Sequence, residues 1–386
     1  MNVWMIVGLV VTIAMILGLS IYSGTKFKAG VSKNGSAITA GIIMGTLVGG
    51  SSTVGTAQLA YNYGMSAWWF TLGGGIACLV LALVYVKPFR GSHCATLVQM
   101  VGHEYGPAAG LSASILNSVG TFINIISQLI AATAVITVLF PSLSMAVELL
   151  IAAAFMVLYV VFGGAKGAGM VGVLKLTLLY IAMIGCGIIV LTLTGGILVG
   201  LYMRATHPGI VAKTALTSFV MEHMPPVLAG IVMGTLFVAV VGTGAGLALG
   251  ISFIVNKDII KKFTHKLDNN PRLEAVVGKI ITAAVLLLGC CLSTGSLGDT
   301  ILQFAFMSMG LRGAVVLVPM CCALWLPGKI PHKFAMCSII VAPLLVLLFG
   351  VMNVLPFDSL FIGIAASLVI MGIGYLAGRK QPLGAN

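Results

Sequence analysis

The sequence predicts an all-α polytopic membrane protein with about eleven transmembrane helices. Three observations predict it. First, 60% of the 386 residues are hydrophobic and 7% charged, whereas a soluble domain averages about 25% charged residues. A chain so poor in charge cannot clothe a water-facing surface. Second, apolar runs of about 20 residues, the length that crosses a hydrocarbon core of about 30 Å, recur from end to end. Mean hydropathy is +1.16. Third, the basic residues gather at alternate ends of these runs, as topology determinants do. A barrel would show short alternating segments instead.

The elements follow in order. The run 3–23 has neither a basic leader nor a small-residue cleavage site, so it reads as a retained span rather than a signal peptide. The run 36–61 is apolar at its ends and glycine-rich and polar at its middle. The run 66–87 opens on "WWF" and stops at "KPFR", and 108–140 carries a row of amides. The run 144–162 follows "PSLS". The run 168–203 is anomalous: its 36 residues would make about 54 Å of helix, too long for one upright span and too short for two. "LTLTGG", ending at Gly196, marks a break there. The run 226–255 starts after "MPP" and ends at "NKDIIKK", and 273–294 follows "NNPR". The run 300–326 ends at "LPGK"; 333–355 and 358–377 close the series.

An odd number of spans puts the termini on opposite sides. With the N-terminus outside and the C-terminus cytoplasmic, 17 of the 20 Lys and Arg residues fall on the inner side. Arg204 and Lys213 lie outside, and Arg312 lies within a span. The net charge of +12 is thus explained by an anionic inner leaflet, with no nucleic-acid partner. The eight cysteines form no CxxC pair and all but Cys94 fall in apolar runs, so they read as small buried apolar residues. The six histidines show no HExxH spacing. No acid–base pair or metal cluster falls within the spans, which argues against an enzyme and against a cofactor.

The polar centre of 36–61 carries the functional argument. Gly45, Gly49, Gly50, Ser51, Ser52, Thr53, Gly55 and Thr56 have low helix propensity. Inside hydrocarbon, irregular backbone survives only where protein buries it or where it lines a wet cavity. A broken helix there would free carbonyls and hydroxyls to hold a small cation, as at the midplane sites of transporters. Close packing through Gly45-x-x-x-Gly49 is the competing reading. A second run, "AVVGTGAGLALGIS" over Ala239–Ser252, favours the ion site. It is expected to interrupt a second crossing and to offer the Thr243 hydroxyl, an oxygen ligand of the kind hard cations take. On 108–140, Asn117, Thr121, Asn124 and Gln128 fall at i, i+4, i+7 and i+11, one face of a helix. They would glue helices or line a solute cavity. Arg312 is expected to point inward as a structural pair or gate, and Glu148 to snorkel to the outer interface.

These residues resemble the sodium/solute symporter family, which has the LeuT-like inverted-repeat fold. The resemblance is carried by "GGSSTVGTAQLAYNYGMSAWWFTLG" (49–73), "YVVFGGAKGAGMVGVLK" (159–175), "MPPVLAGIVMGTLFVAVVGTGAGLALGISFIVNKDI" (224–259) and "ALWLPGKIPHKFA" (323–335). It implies sodium as the coupling ion, held by the carbonyls of Gly45, Val48 and Ala239 and by two adjacent hydroxyl positions, Gly242 and Thr243. Thr243 matches the pattern and Gly242 departs from it. The implied solute site takes Ser51, Ser52, Thr53, the stripe Asn117, Thr121, Asn124 and Gln128, and Gln303.

The resemblance also resolves the anomalous run. "LTLTGG" is similar to the end of the family's fifth core helix, and "GGILVGLYMRATHPG" to the end of its seventh. The chain is expected to lack the sixth and most of the seventh core helices, joining at Gly195–Gly196. The implied layout is a single transmembrane domain over 1–386: an extra N-terminal helix at 1–23, the first repeat with a fused remnant at 36–203, the rest of the second repeat at 226–326, and C-terminal helices at 333–377. The implied function is sodium-coupled symport of a small organic solute by alternating access in the cytoplasmic membrane, in a shortened form. The contrasting class is a transport-inactive membrane protein that binds solute or a partner. With eight acidic residues in all, mostly in loops, sodium is expected rather than a proton.

Overall fold

The computed structural model describes residues 3–26, 49–92, 94, 96–160, 195–260, 271–294, 301–352 and 357–378. Among them all regular structure is helical. α1 is Val3–Lys26 and α2 Val54–Tyr63. A 3-10 turn, Gly64–Ala67, leads into α3, Trp68–Val80, which runs through a π-helical turn at Leu81–Tyr85 into α4, Val86–Gly91. α5 is Leu97–Tyr105, α6 Pro107–Leu139 and α7 Met145–Val160. α8 is Gly195–Thr206, α9 Ala215–His223 and α10 Pro226–Ile254. α11 is Pro271–Ser293, α12 Ile301–Trp325, α13 His332–Met352 and α14 Leu360–Gly378.

Among the described residues, seven helices are long and apolar enough to cross a membrane, and two more, at Val3–Met15 and Met145–Val160, are shorter apolar helices. The expected count of about eleven is not confirmed among the described residues. Parts of 36–61 and 168–203 lie outside the described residues. The chain divides into two compact units: Met1–Gly74 with Ile125–Phe253 and Asn270–Leu302, and Gly75–Asn124 with Ile254–Asn269 and Gln303–Asn386.

In the first unit, small residues bring helices into backbone contact. At Gly8 a Cβ would lie 2.7 Å from the Val227 carbonyl, and at Gly234 it would lie 3.0 Å from Thr12 Cβ, so α1 lies directly on α10. Gly200 of α8 faces the Ala57 carbonyl and sits so close to α2 that a Cβ would be 2.8 Å from Ala60 Cβ. Ser252 on α10 donates to the Gly278 carbonyl of α11 at 2.7 Å. Such contacts suit a lipid solvent, where burial gives little drive and close van der Waals packing supplies it. The turn between α2 and α3 needs Gly64, whose φ is +70°, a value that L side chains resist.

In the second unit, α5, α6, α12 and α13 share an apolar core around Val101, Tyr105, Ala113, Val315 and Ile339. Tyr105 donates to the Pro319 carbonyl at 3.2 Å. That carbonyl belongs to a proline inside α12. The outer faces are apolar: none of the α3 residues is buried, as lipid contact requires.

Three expectations need correcting. Ala239–Ser252 does not interrupt its crossing, because α10 is continuous α-helix from Pro226 to Ile254. Its glycines serve contact instead: a Cβ at Gly244 would lie 2.7 Å from Met156 Sδ on α7. Glu148 does not snorkel; it is 3% exposed and accepts a hydrogen bond from Thr137 Oγ1 at 2.9 Å. A hydroxyl one helix away satisfies it more cheaply than an extended reach to water would. Of the described cysteines only Cys290 is buried, while Cys78, Cys291 and Cys337 are exposed on apolar outer faces, where a thiol is as compatible with lipid as with a core.

Candidate functional site

The backbone is irregular where the sequence is richest in Gly, Ser and Thr. Residues 49–53 are bend and turn, and α2 begins only at Val54. Thr53 has φ −112° and ψ −80°, outside the helical region. The hydroxyls hold this irregular stretch, termed the break below, in place. Ser52 Oγ donates to the Gly49 carbonyl and accepts from the Gly49 N–H, both at 3.0 Å. Thr53 Oγ1 donates to the same carbonyl at 2.9 Å, and Thr56 Oγ1 donates to the Ser52 carbonyl at 3.1 Å. Short polar side chains compete in this way with the helical ladder, and the competition is decisive where water cannot satisfy a freed group.

The break is clamped from α6. Gln128 is 2% exposed. Its Oε1 accepts the Gly50 N–H at 2.8 Å, and its Nε2 donates to Ser51 Oγ at 3.3 Å. Ser51 Oγ lies 3.2 Å from Ser127 Oγ, which donates to the Ile301 carbonyl at 2.7 Å. One buried chain of hydrogen bonds thus runs from the break through two neighbouring residues of α6 to the first residue of α12.

α10 meets the break at its glycines. A Cβ at Gly49 would lie 2.8 Å from Thr243 Cγ2 and 2.9 Å from both Thr243 Oγ1 and Gln128 Oε1. At Gly50 it would run into Ala131 Cβ. Only glycine lets the chain pass this close. Thr243 is 2% exposed, and its Oγ1 donates to the Ala239 carbonyl at 2.9 Å, so these two oxygens already face each other one turn apart. Gly242 has no hydroxyl to add. On its face, however, the Tyr159 Oη of α7 lies 3.7 Å from where a Gly242 Cβ would be, and Tyr159 is buried at 3% exposure. Sequence reasoning missed Tyr159; its only signal was its place at the head of "YVVFGGAKGAG". Gly45 and Val48 lie outside the described residues.

The predicted solute residues separate into groups. Ser51, Ser52 and Thr53 belong to the break, their hydroxyls engaged as above. The stripe Asn117, Thr121, Asn124 and Gln128 does lie on one helix, α6, but Asn117, Thr121 and Asn124 belong to the second unit and Gln128 to the first. Thr121 Oγ1 donates back to the Asn117 carbonyl at 2.8 Å. Gln303 lines a separate cavity of about 120 Å³ with Met307, Phe349, Asp358 and Ser359.

α8, which begins at Gly195, packs along α2. A Cβ at Gly196 would lie 3.8 Å from the Thr53 carbonyl. Ile197 packs with Ala60 and Ala67, and Val199 and Met203 pack with Tyr61 and Ala215. The chain ahead of it, 161–194, where the expected loss of two core helices would show, lies outside the described residues.

Comparison with known proteins agrees with this architecture. The model of the sodium:solute symporter family matches residues 27–210. An uncharacterized symporter of Bacillus subtilis (strain 168), YwcA, is 28% identical over 155 residues. That match covers 40% of this chain and 30% of the relative's length. Among solved structures, the substrate-bound outward-open state of a Na+-coupled sialic acid symporter matches with a TM-score of 0.77 at 14% identity, over 99% of this chain and 98% of that one. At that identity the likeness is one of fold.

Proposed function

We propose that this chain, a relative of the sodium:solute symporters by sequence and by its LeuT-like fold, is a sodium-coupled secondary transporter of a small organic solute. It would sit in the cytoplasmic membrane with its N-terminus outside, the orientation that puts 17 of 20 basic residues inside. The observation that carries the reading is the break at 49–53 seated on Thr243 and Gln128.

In this reading sodium binds where the break meets α10. The carbonyls of Gly45, Val48 and Ala239 and the Thr243 hydroxyl are its ligands, and the Tyr159 phenol oxygen takes the part of the hydroxyl that Gly242 lacks. An ion there would draw Thr243 Oγ1 and the Ala239 carbonyl to itself and tie the broken crossing to α10. That gives sodium different affinities for the arrangements in which the two are together and apart. A ligand shifts a conformational equilibrium only through such a difference. Alternating access follows when the solute favours the same closed arrangement. The Asn117, Thr121 and Asn124 face supplies hydrogen-bonding groups for the solute in a medium where unpaired amides are costly. In this reading the chain is a shortened form, and α8 covers α2 in place of the missing helices.

The test is flux. Purified chain in proteoliposomes is given ²²Na⁺ outside together with a panel of candidate sugars, amino acids and organic acids. Saturable stimulation of ²²Na⁺ entry by at least one solute is the expected result. Solute binding without any stimulated entry would favour the transport-inactive reading that the shortened repeat suggests.

A further inference from the structure

Arg312 occupies the twelfth of the 25 positions of α12, near the middle of a membrane-length helix, where a cation is tolerated only if paired or wet. It lies against α6. Ser308, one turn before it, donates to the Gly120 carbonyl at 2.6 Å, and a Cβ at Gly120 would lie 2.6 Å from Arg312 Cγ. Gly120 therefore opens the slot that the arginine stem fills. The Arg312 Nε is buried with no hydrogen-bond partner among the described residues, and the ion pair found among those residues, His207–Glu222, does not involve it.

Its neighbours on α6 are neutral. At 100° per residue, Asn117 and Asn124 lie within about 60° of Gly120 around the helix, so the amide stripe runs along the face that Arg312 packs on. The site offers a planar cationic fork flanked by amides and, among the described residues, no countercharge. Such a fork matches a carboxylate, which accepts two parallel N–H bonds.

We infer that Arg312 is the anion subsite of the solute site, and that the transported solute is an organic carboxylate whose charge complements this cation, which has no ion-pair partner among the described residues. The inference rests on the symporter reading and narrows it to a substrate class. Asn117 and Asn124 then orient the rest of the solute.

The test is binding by the full-length chain in detergent, read as thermal stabilisation at constant sodium and ionic strength. Acetate, pyruvate, lactate and N-acetylneuraminate are each titrated against sodium chloride and, for the first three, against the matching amide. At least one carboxylate is expected to stabilise saturably where its neutral or chloride counterpart does not. Arg312→Gln is expected to weaken that carboxylate roughly 10- to 100-fold, and Arg312→Lys, which keeps the charge but not the fork, by less. Asn117→Asp, which brings a carboxylate beside the guanidinium, is expected to compete with the ligand and weaken it too. The proposal is overturned if no carboxylate outperforms its counterpart, a result read from the parent alone, or if Arg312→Gln binds the carboxylate as the parent does. Repeating the titrations in choline separates the two readings. Carboxylate binding indifferent to sodium leaves the anion subsite standing and removes the coupling. Sodium stabilisation without carboxylate preference does the reverse.

Discussion

Replacing Gln128 by leucine removes the clamp on the broken crossing while keeping the side chain's approximate size. The Gly50 N–H loses its acceptor at 2.8 Å in a place that is buried. A buried donor left unpaired costs about 1–3 kcal/mol. The Ser51 contact at 3.3 Å is the weaker one, and Ser51 keeps its Ser127 partner, so its loss adds little. A total of about 2 kcal/mol, or roughly 30-fold in the equilibrium between the seated and unseated break, is expected. Gln128→Glu keeps an acceptor for the Gly50 N–H and should lose less. The assay is thermal unfolding of the purified protein with and without sodium. Gln128→Leu should melt several degrees lower and show a weaker response to sodium. If it melts with the parent and responds to sodium equally, Gln128 does not hold the break, and the reasoning from Gly50 fails.

Other substitutions follow from the same geometry. Tyr159→Phe removes the phenol oxygen 3.7 Å from the Gly242 Cβ position and should raise the sodium concentration for half-maximal stabilisation several-fold; an unchanged value would make Tyr159 a packing residue only. Gly200→Ala sets a methyl against the Ala57 carbonyl and within 2.9 Å of the Tyr61 nitrogen, so α8 and α2 must separate. A loss of about 1–3 kcal/mol is expected, while Gly73→Ala, with nothing within 4 Å, should be neutral. Equal melting of these two variants would contradict the close packing of α8.

The helical membrane class was legible because composition and run length leave few alternatives, and most span boundaries lie within a few residues of the helices. The irregular backbone over 49–53 was legible for a local reason, since glycine and hydroxyl residues have poor helix propensity and lipid supplies no water to soften the consequence; the part of that crossing ahead of residue 49 lies outside the described residues. The same reasoning failed on α10. A glycine run there reads alike whether it bends a helix or admits a neighbour, and the neighbour, Met156 on α7, is some 90 residues away in sequence. Gln128 was singled out by its spacing along α6, but its partner lies 78 residues off, beyond any local pattern. Tyr159 escaped for the same reason. Glu148 was misjudged because an acid near a helix start suggests an interface, whereas Thr137 offers a hydroxyl that only the fold brings near.

The central claim is that sodium binds where the broken crossing meets α10, with Thr243 as a ligand. Equilibrium ²²Na⁺ binding to the purified chain, compared with Thr243→Ala, tests it most directly. Saturable binding in the parent that weakens about 10-fold or more in the variant, with folding unchanged, is the predicted result. Equal binding by both, or no saturable binding by the parent, would contradict it.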